Sequence, residues 1–335
     1  MITHRRATNA RAAFALIAIL SVATTIHAAD SANPCLGSWA LTLPNGAAGW
    51  LGVTEQDGQL KGQLLWGGGS VLPVSSVKVD GDTLVITRVQ KGRGGAVTTE
   101  TITGKADGDE MKLTTVKSQE GKPEFGKAEF AGKRTPPPGP APDLSKVKFG
   151  EPIVLFNGKD LEGWRLTDPK ADNGWSVQDG VLINRIEQEP GMPRKHFGNL
   201  RTDREFEDFN VTLETNLPKE GNSGVYLRGI YEVQVLDSYG KPLDPHNMGA
   251  IYSRITPTEA AEKPAGQWQT MDITLVDRHA TVILNGKKII DNQPILGCTG
   301  GALWSDPFRP GPIYLQGDHT GANFRNIVLR PVVKE

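Results

Sequence analysis

Gly224-Val-Tyr-Leu-Arg-Gly-Ile-Tyr-Glu-Val-Gln-Val-Leu236 is the stretch whose reading decides the fold. Its side chains alternate. Successive residues of an extended chain point to opposite faces, so Val225, Leu227, Tyr231, Val233 and Val235 share one face. Tyr226, Arg228, Glu232 and Gln234 share the other. The spacing predicts one long strand with an apolar core face. On its polar face a cation, a carboxylate and an amide stand together. That face reads either as the floor of a concave cleft or as an Arg–Glu cross-strand pair in water.

The same pattern continues outward. Asp179-Gly180 introduces residues 181–183, and 209–215 alternate with Val211 and Leu213 on one side. Residues 268–276 and 280–284 read as a hairpin turned by Asp277-Arg278. Residues 313–316 and 324–329 close the chain as strands. Strand follows strand without βα alternation, which predicts an antiparallel sandwich or jelly roll. Upstream, Thr135-Pro-Pro-Pro-Gly-Pro-Ala-Pro142 reads as a semi-rigid linker. Before it, short strands are separated by Asp57-Gly58, Asp80-Gly81 and Asp107-Gly108, which are hairpin signals. The expected organisation is a leader over 1–28, a small antiparallel β barrel or sandwich over 31–134, a linker over 135–146 and the jelly roll over 147–335.

Composition agrees with an all-β chain. Of 335 residues, 39 are Gly and 23 are Pro, so turns are frequent. With 37 basic and 38 acidic residues the net charge is −1, which argues against a nucleic-acid partner needing a basic face. Residues 1–11 are basic, 12–23 are apolar, and small residues follow to Ala28: the layout of a secretory signal. The apolar run is shorter than the ~20 residues a membrane helix needs. Cleavage near Ala28 removes three basic residues and no acid, for a net charge of −4. The expected location is the periplasm or the medium, with no membrane span in the mature chain. Cys35 and Cys298 read as two free thiols, although an oxidising compartment also permits a disulfide.

Several motifs, in order, carry a resemblance. They are Phe156-Asn-Gly-Lys-Asp-Leu-Glu-Gly-Trp164, Trp175-Ser-Val-Gln-Asp-Gly-Val-Leu182 and Gly221-Asn-Ser-Gly-Val-Tyr-Leu-Arg-Gly229. Tyr231-Glu-Val-Gln-Val-Leu-Asp237, Leu284-Asn-Gly286 and Phe324-Arg-Asn-Ile327 complete the set. From about 154 to 331 the chain resembles the 3-keto-disaccharide hydrolase family. The resemblance implies a concanavalin/laminin-G-like jelly roll acting on glycosides whose C3 hydroxyl has become a ketone. The activities implied are those of 3-keto-glucoside 1,2-lyases and 3-keto-2-hydroxyglucal hydratases. An oxidised glycoside or disaccharide substrate implies in turn an upstream sugar 3-dehydrogenase. Residues 31–134 lie outside the resemblance and read as an accessory domain. Trp39, Trp50 and Trp66 there serve either a core or a carbohydrate surface.

The implied chemistry needs a base for the C2 proton, donors for the enolate oxygen and an acid for the leaving group. Glu232 and His319 are the candidate proton-transfer pair. His319 lies in Leu315-Gln-Gly-Asp-His-Thr-Gly321, where the family commonly has a histidine. Arg228, Gln234, Tyr226 and Gln316 are candidate substrate contacts. Asp237 is read equally as a catalytic group or as the opening of a turn. Glu232-x-Gln234-x-x-Asp237 echoes the glucanase pattern Glu-x-Asp-x-x-Glu, but the central amide speaks against a retaining double displacement. Asp318 and Asp237 are candidate ligands should a divalent cation bind; the sequence requires no cofactor. His246 is a weaker candidate, and His196 and His279 read as exposed. Gly67-Gly68-Gly69 lacks the Lys and helix of a phosphate loop. A non-catalytic glycan-binding jelly roll is the alternative reading.

Overall fold

The computed structural model describes residues 33–92 and 94–333, and the leader expected over 1–28 lies outside them. Among the described residues there are strands and turns but no α-helix. No described helix is therefore long and apolar enough to cross a membrane.

The first nine strands are β1 (Gly37–Thr42), β2 (Ala48–Gln56), β3 (Gln59–Trp66), β4 (Leu72–Pro73), β5 (Ser76–Asp80), β6 (Thr83–Lys91), β7 (Val97–Asp107), β8 (Glu110–Gln119) and β9 (Phe125–Thr135). They form one antiparallel sheet in the order β4-β3-β2-β1-β9-β8-β7-β6-β5. Its two outer strands, β4 and β5, are separated in the chain by only Val74 and Ser75. The sheet must therefore curl until its ends meet. Val74 N–H donates to Gly62 on one side (3.0 Å) and Ser75 N–H to Thr87 on the other (2.8 Å). Trp39, Leu41, Leu51, Leu84, Ile86 and Ile102 fill the interior.

The remaining strands are β10 (Ile153–Val154), β11 (Trp164–Leu166), β12 (Trp175–Gln178), β13 (Val181–Asn184), β14 (Leu200–Thr202), β15 (Phe209–Asn216), β16 (Asn222–Leu227), β17 (Tyr231–Leu236), β18 (Gln269–Val276), β19 (His279–Leu284), β20 (Lys287–Pro294), β21 (Tyr314–Leu315) and β22 (Ala322–Pro331). The larger sheet runs β12-β13-β22-β15-β18-β19-β20, with β10 beside β22. The smaller runs β11-β14-β21-β16-β17. Phe209, Val211, Ile273, Phe324 and Leu329 from the first sheet and Val225, Leu227, Val233, Val235 and Leu315 from the second belong to one buried core. This is the jelly-roll sandwich that the alternation predicts. The Asp277-Arg278 turn is present, with positive φ at both residues and Val276 paired to His279.

The stretch 224–236 is not one strand. It folds back as the hairpin β16–β17 through Arg228-Gly229-Ile230. Arg228 (φ 54°) and Gly229 (φ 69°) are both left-handed, and Ile230 N–H donates to the Leu227 carbonyl at 3.1 Å. An Arg-Gly pair flanked by β-formers is a weak turn signal, so the alternation runs through it unnoticed in the sequence. The faces survive the fold. Tyr226 pairs with Glu232 and Gly224 with Gln234, and directly opposed residues point the same way.

From Pro34 onward the chain is one compact unit. Trp50 joins the sandwich core, packing on Gly297, with the Arg254 guanidinium 4.3 Å from its ring centroid. Trp39 is fully buried, and Trp66 is partly buried edge-on to Phe130. Trp39 and Trp50 are thus packing residues, and Trp66 is half-buried. Cys35 and Cys298 are both buried and neither forms a disulfide.

Candidate active site

Three neighbouring strands of the small sheet lay out two rows of side chains on its outer face. Glu232, Tyr226 and Tyr314 form one row, from β17 through β16 to β21. Gln234 and Gly224 begin the next, and Gln316 N–H donates to the Gly224 carbonyl at 2.9 Å to continue it. A pocket of about 190 Å³ opens over these rows. That is below the ~300–1,000 Å³ of drug-sized sites and suits a small polar ring. Asn199, Asn222, Tyr252, Asp318 and His319 complete its walls with two glycine turns, Gly68-Gly69 and Gly300-Gly301.

Glu232 is the unusual group. Its side chain is 3% exposed. Burial pushes its pKa from 4.5 up to about 8, against the Tyr226 hydroxyl and the charge of His319, which pull it down. The Tyr226 hydroxyl bridges two acceptors. It lies 2.7 Å from the Gly300 carbonyl and 2.9 Å from Glu232 Oε2, and it has one proton to give. A carbonyl only accepts. Donated to Glu232 Oε2, that proton favours the carboxylate, and burial outweighs it. The Tyr314 hydroxyl is committed to the Gly301 carbonyl at 2.7 Å. The two rings stack at 3.8 Å, and burial holds both phenols well above their ordinary pKa. Gly301 permits this approach: its φ is +78°, and a Cβ there would lie 2.7 Å from the Tyr226 hydroxyl.

His319 lines the same pocket from the turn after β21. Its Nδ1 lies 2.6 Å from Asp318 Oδ1. That bond, followed by Asp318 and Glu232 charge, raises its pKa against partial desolvation. An imidazole donating Nδ1–H to a carboxylate leaves Nε2 as the basic atom when neutral. Two further polar atoms wait for partners. Asn222 Oδ1 and Gln316 Oε1 are buried and make no hydrogen bond in the protein. Orphaned buried acceptors are costly unless a ligand supplies donors, and sugar hydroxyls are such donors.

The structure thus brings Glu232, His319, Tyr226, Gln234, Gln316 and Asp318 together. Arg228 is elsewhere. The turn carries its side chain away from the pocket, where it is 2% exposed and donates to the Pro307 and Arg309 carbonyls (2.6 and 3.0 Å). Asp237 also lies outside the pocket lining. It follows β17 and accepts the Glu220 backbone N–H at 2.9 Å, tying the chain before β16 to the end of β17. Asp237 and Asp318 therefore do not converge, and among the described residues no three of His, Cys, Asp and Glu gather as a metal-binding group. His279 is buried rather than exposed, its ring bonded to the Asp277 carbonyl.

Sequence reasoning missed Asn222, Tyr314, Asn199, Tyr252 and the glycine turns. Asn222 and Tyr314 had a signal: the parity that selects Tyr226 and Gln316 selects them too. The others come from distant loops and carry no local pattern. A larger cavity of about 730 Å³ lies between β1–β3 and Pro136–Pro138, but its lining has no carboxylate or imidazole to move a proton.

The fold and site can be set beside known proteins. Residues 151–330 match the family model of the 3-keto-alpha-glucoside-1,2-lyase-like domain. A curated relative from Bacteroides thetaiotaomicron, named 3-keto-disaccharide hydrolase, is 26% identical over 148 residues, or 36% of this chain. The chain spans about half (51%) of that relative's length. Two crystal structures from Parabacteroides distasonis, both described as glycosyl hydrolases, are 31% and 28% identical. They cover 58% and 54% of this chain and 93% and 100% of their own, with TM-scores of 0.44 and 0.41. The matched segment holds both sheets of the sandwich and every carboxyl and imidazole group of the pocket. The chain belongs to the 3-keto-alpha-glucoside-1,2-lyase-like domain family.

Proposed function

We propose that this protein cleaves 3-keto-glycosides, 3-keto-disaccharides among them, with His319 as base and Glu232 as acid. One observation carries the reading: a buried carboxyl with its pKa pushed up to about 8 and a carboxylate-oriented imidazole line one small pocket with unpaired acceptors beside them. A C3 ketone acidifies the proton on C2. His319 Nε2 takes that proton, and the electron pair moves into an enolate. The enolate then expels the C1 oxygen substituent, which takes the Glu232 proton as it leaves. The product is an enone with a C1–C2 double bond. Water adding its oxygen to C1 and its proton to C2 completes a net hydrolysis. Gln234, Gln316 and Asn222 hold sugar oxygens.

This substrate must be made by a sugar 3-dehydrogenase acting earlier. The leader-like N-terminus supports export to the periplasm or the medium. The test is to mix the protein with 3-keto-glucosides of both anomers and follow aglycone and ultraviolet absorbance. Aglycone release with a transient enone is expected. Tight binding without release would favour a glycan-binding role instead.

A further inference from the structure

The family match begins at residue 151, yet the pocket does not end with it. Gly68 and Gly69, from the turn after β3 in the N-terminal sheet, line the pocket beside Glu232, Tyr226 and Tyr252. Contact there is close. A Cβ on Gly300 would lie 2.1 Å from the Gly69 carbonyl oxygen, so the two glycine turns touch backbone to backbone. Gly300 is the residue whose carbonyl lies 2.7 Å from the Tyr226 hydroxyl.

The next residues latch this turn to the sandwich. Ser70 Oγ lies 2.8 Å from His246 Nε2, and the other ring nitrogen of His246 meets Asp244. Val71 N–H donates to Ser253 Oγ at 2.9 Å. Tyr252, between these anchors, donates its backbone N–H to the Glu232 carbonyl at 3.0 Å and places its hydroxyl 3.5 Å from Ser70 Oγ. The turn is thus fixed beyond β17, the edge strand of the small sheet. A cleft crossing an open sheet would continue past that edge; here the N-terminal sheet blocks it.

We infer that the Gly67–Val71 turn is the outer wall of the leaving-group subsite and limits the substrate to a small aglycone. The inference rests on the roles proposed for Glu232 and His319. Glu232, which protonates the leaving oxygen, sits on the strand next to the turn. His319, which takes the C2 proton, follows β21 on the other side of β16. The leaving group therefore projects toward Gly68, Gly69 and Tyr252. The N-terminal sheet is part of the site and sets its length, and the substrate class is a short glycoside whose oxidised ring is terminal.

Gly68 offers a clean probe. Its φ is not in the left-handed region and a Cβ there meets nothing within 4 Å, so it accepts a side chain without backbone strain. Gly68→Trp is compared with wild type on a methyl 3-keto-glucoside and on a 3-keto-disaccharide, with thermal unfolding as a check on folding. The expected result is that kcat/KM for the disaccharide falls at least tenfold more than for the methyl glycoside. A ratio of the two within twofold of wild type overturns the inference and leaves the proposed function standing. Wild type that cleaves neither compound overturns the proposed function, and this inference with it. Gly68→Leu replaces the tryptophan variant if that variant does not fold.

Discussion

A Cβ built on Gly224 would lie 2.4 Å from Oε1 of Glu232, its diagonal neighbour across the hairpin. The missing side chain on β16 is the space into which the carboxyl on β17 folds. Gly224→Ala is expected to displace that carboxyl and lower kcat by roughly 10²-fold, the low end for losing a positioned acid. KM should move much less. Steady-state kinetics checks this, and an unchanged kcat would show that the carboxyl position is unimportant.

Glu232 ties activity to pH from the basic side. Its acid form is lost above about pH 8, so kcat/KM should fall there. Glu232→Gln should lower kcat by ~10²–10⁴-fold and abolish that basic limb. The measurement is a pH–rate profile of both proteins.

The same carboxyl costs stability. An unfolded glutamate ionises near 4.5, the folded one at about 8, so between those values the folded chain holds the extra proton. Stability then falls as pH rises through that window and levels above it. Glutamine has no charge to bury. Glu232→Gln should match wild type below pH 4.5 and exceed it by about 3 kcal/mol at pH 7. Denaturant unfolding at pH 4, 7 and 9 checks the trend.

Asp318 orients His319 and raises its pKa. Asp318→Asn should move the acid limb of the pH–rate profile to lower pH, because the neutral partner no longer favours the imidazolium. kcat should drop roughly tenfold, less than the ~10²–10⁴ expected for losing the imidazole. An unmoved acid limb would assign that limb to another group.

Arg228→Ala tests the corrected role. Its bonds to the Pro307 and Arg309 carbonyls, the first of them buried, support the loop before β21, away from the pocket. About 2–4 kcal/mol of stability should be lost, with kcat/KM of the folded protein within twofold of wild type. A large loss of kcat at unchanged stability would return Arg228 to the chemistry.

Period-two alternation made the sandwich and the faces of 224–236 legible, and opposed pairing kept those faces intact through a turn that was not legible. Arg228 was misplaced for that reason: parity assigns a face only while the chain stays extended. Glu232 and Gln316 could be chosen from parity and family motif. The raised pKa of Glu232 could not, since it arises from burial among residues brought from distant parts of the chain. The Gly67–Val71 turn was least legible. Three glycines carry no chemistry of their own, and their meaning comes from what they approach.

The curling of the first sheet has a further consequence. β4 is two residues long and β5 five, so neither end of the strand order leaves a long row of open backbone groups. Such rows recruit strands from other molecules. Short edges on a curled sheet give a strand from another molecule little to pair with.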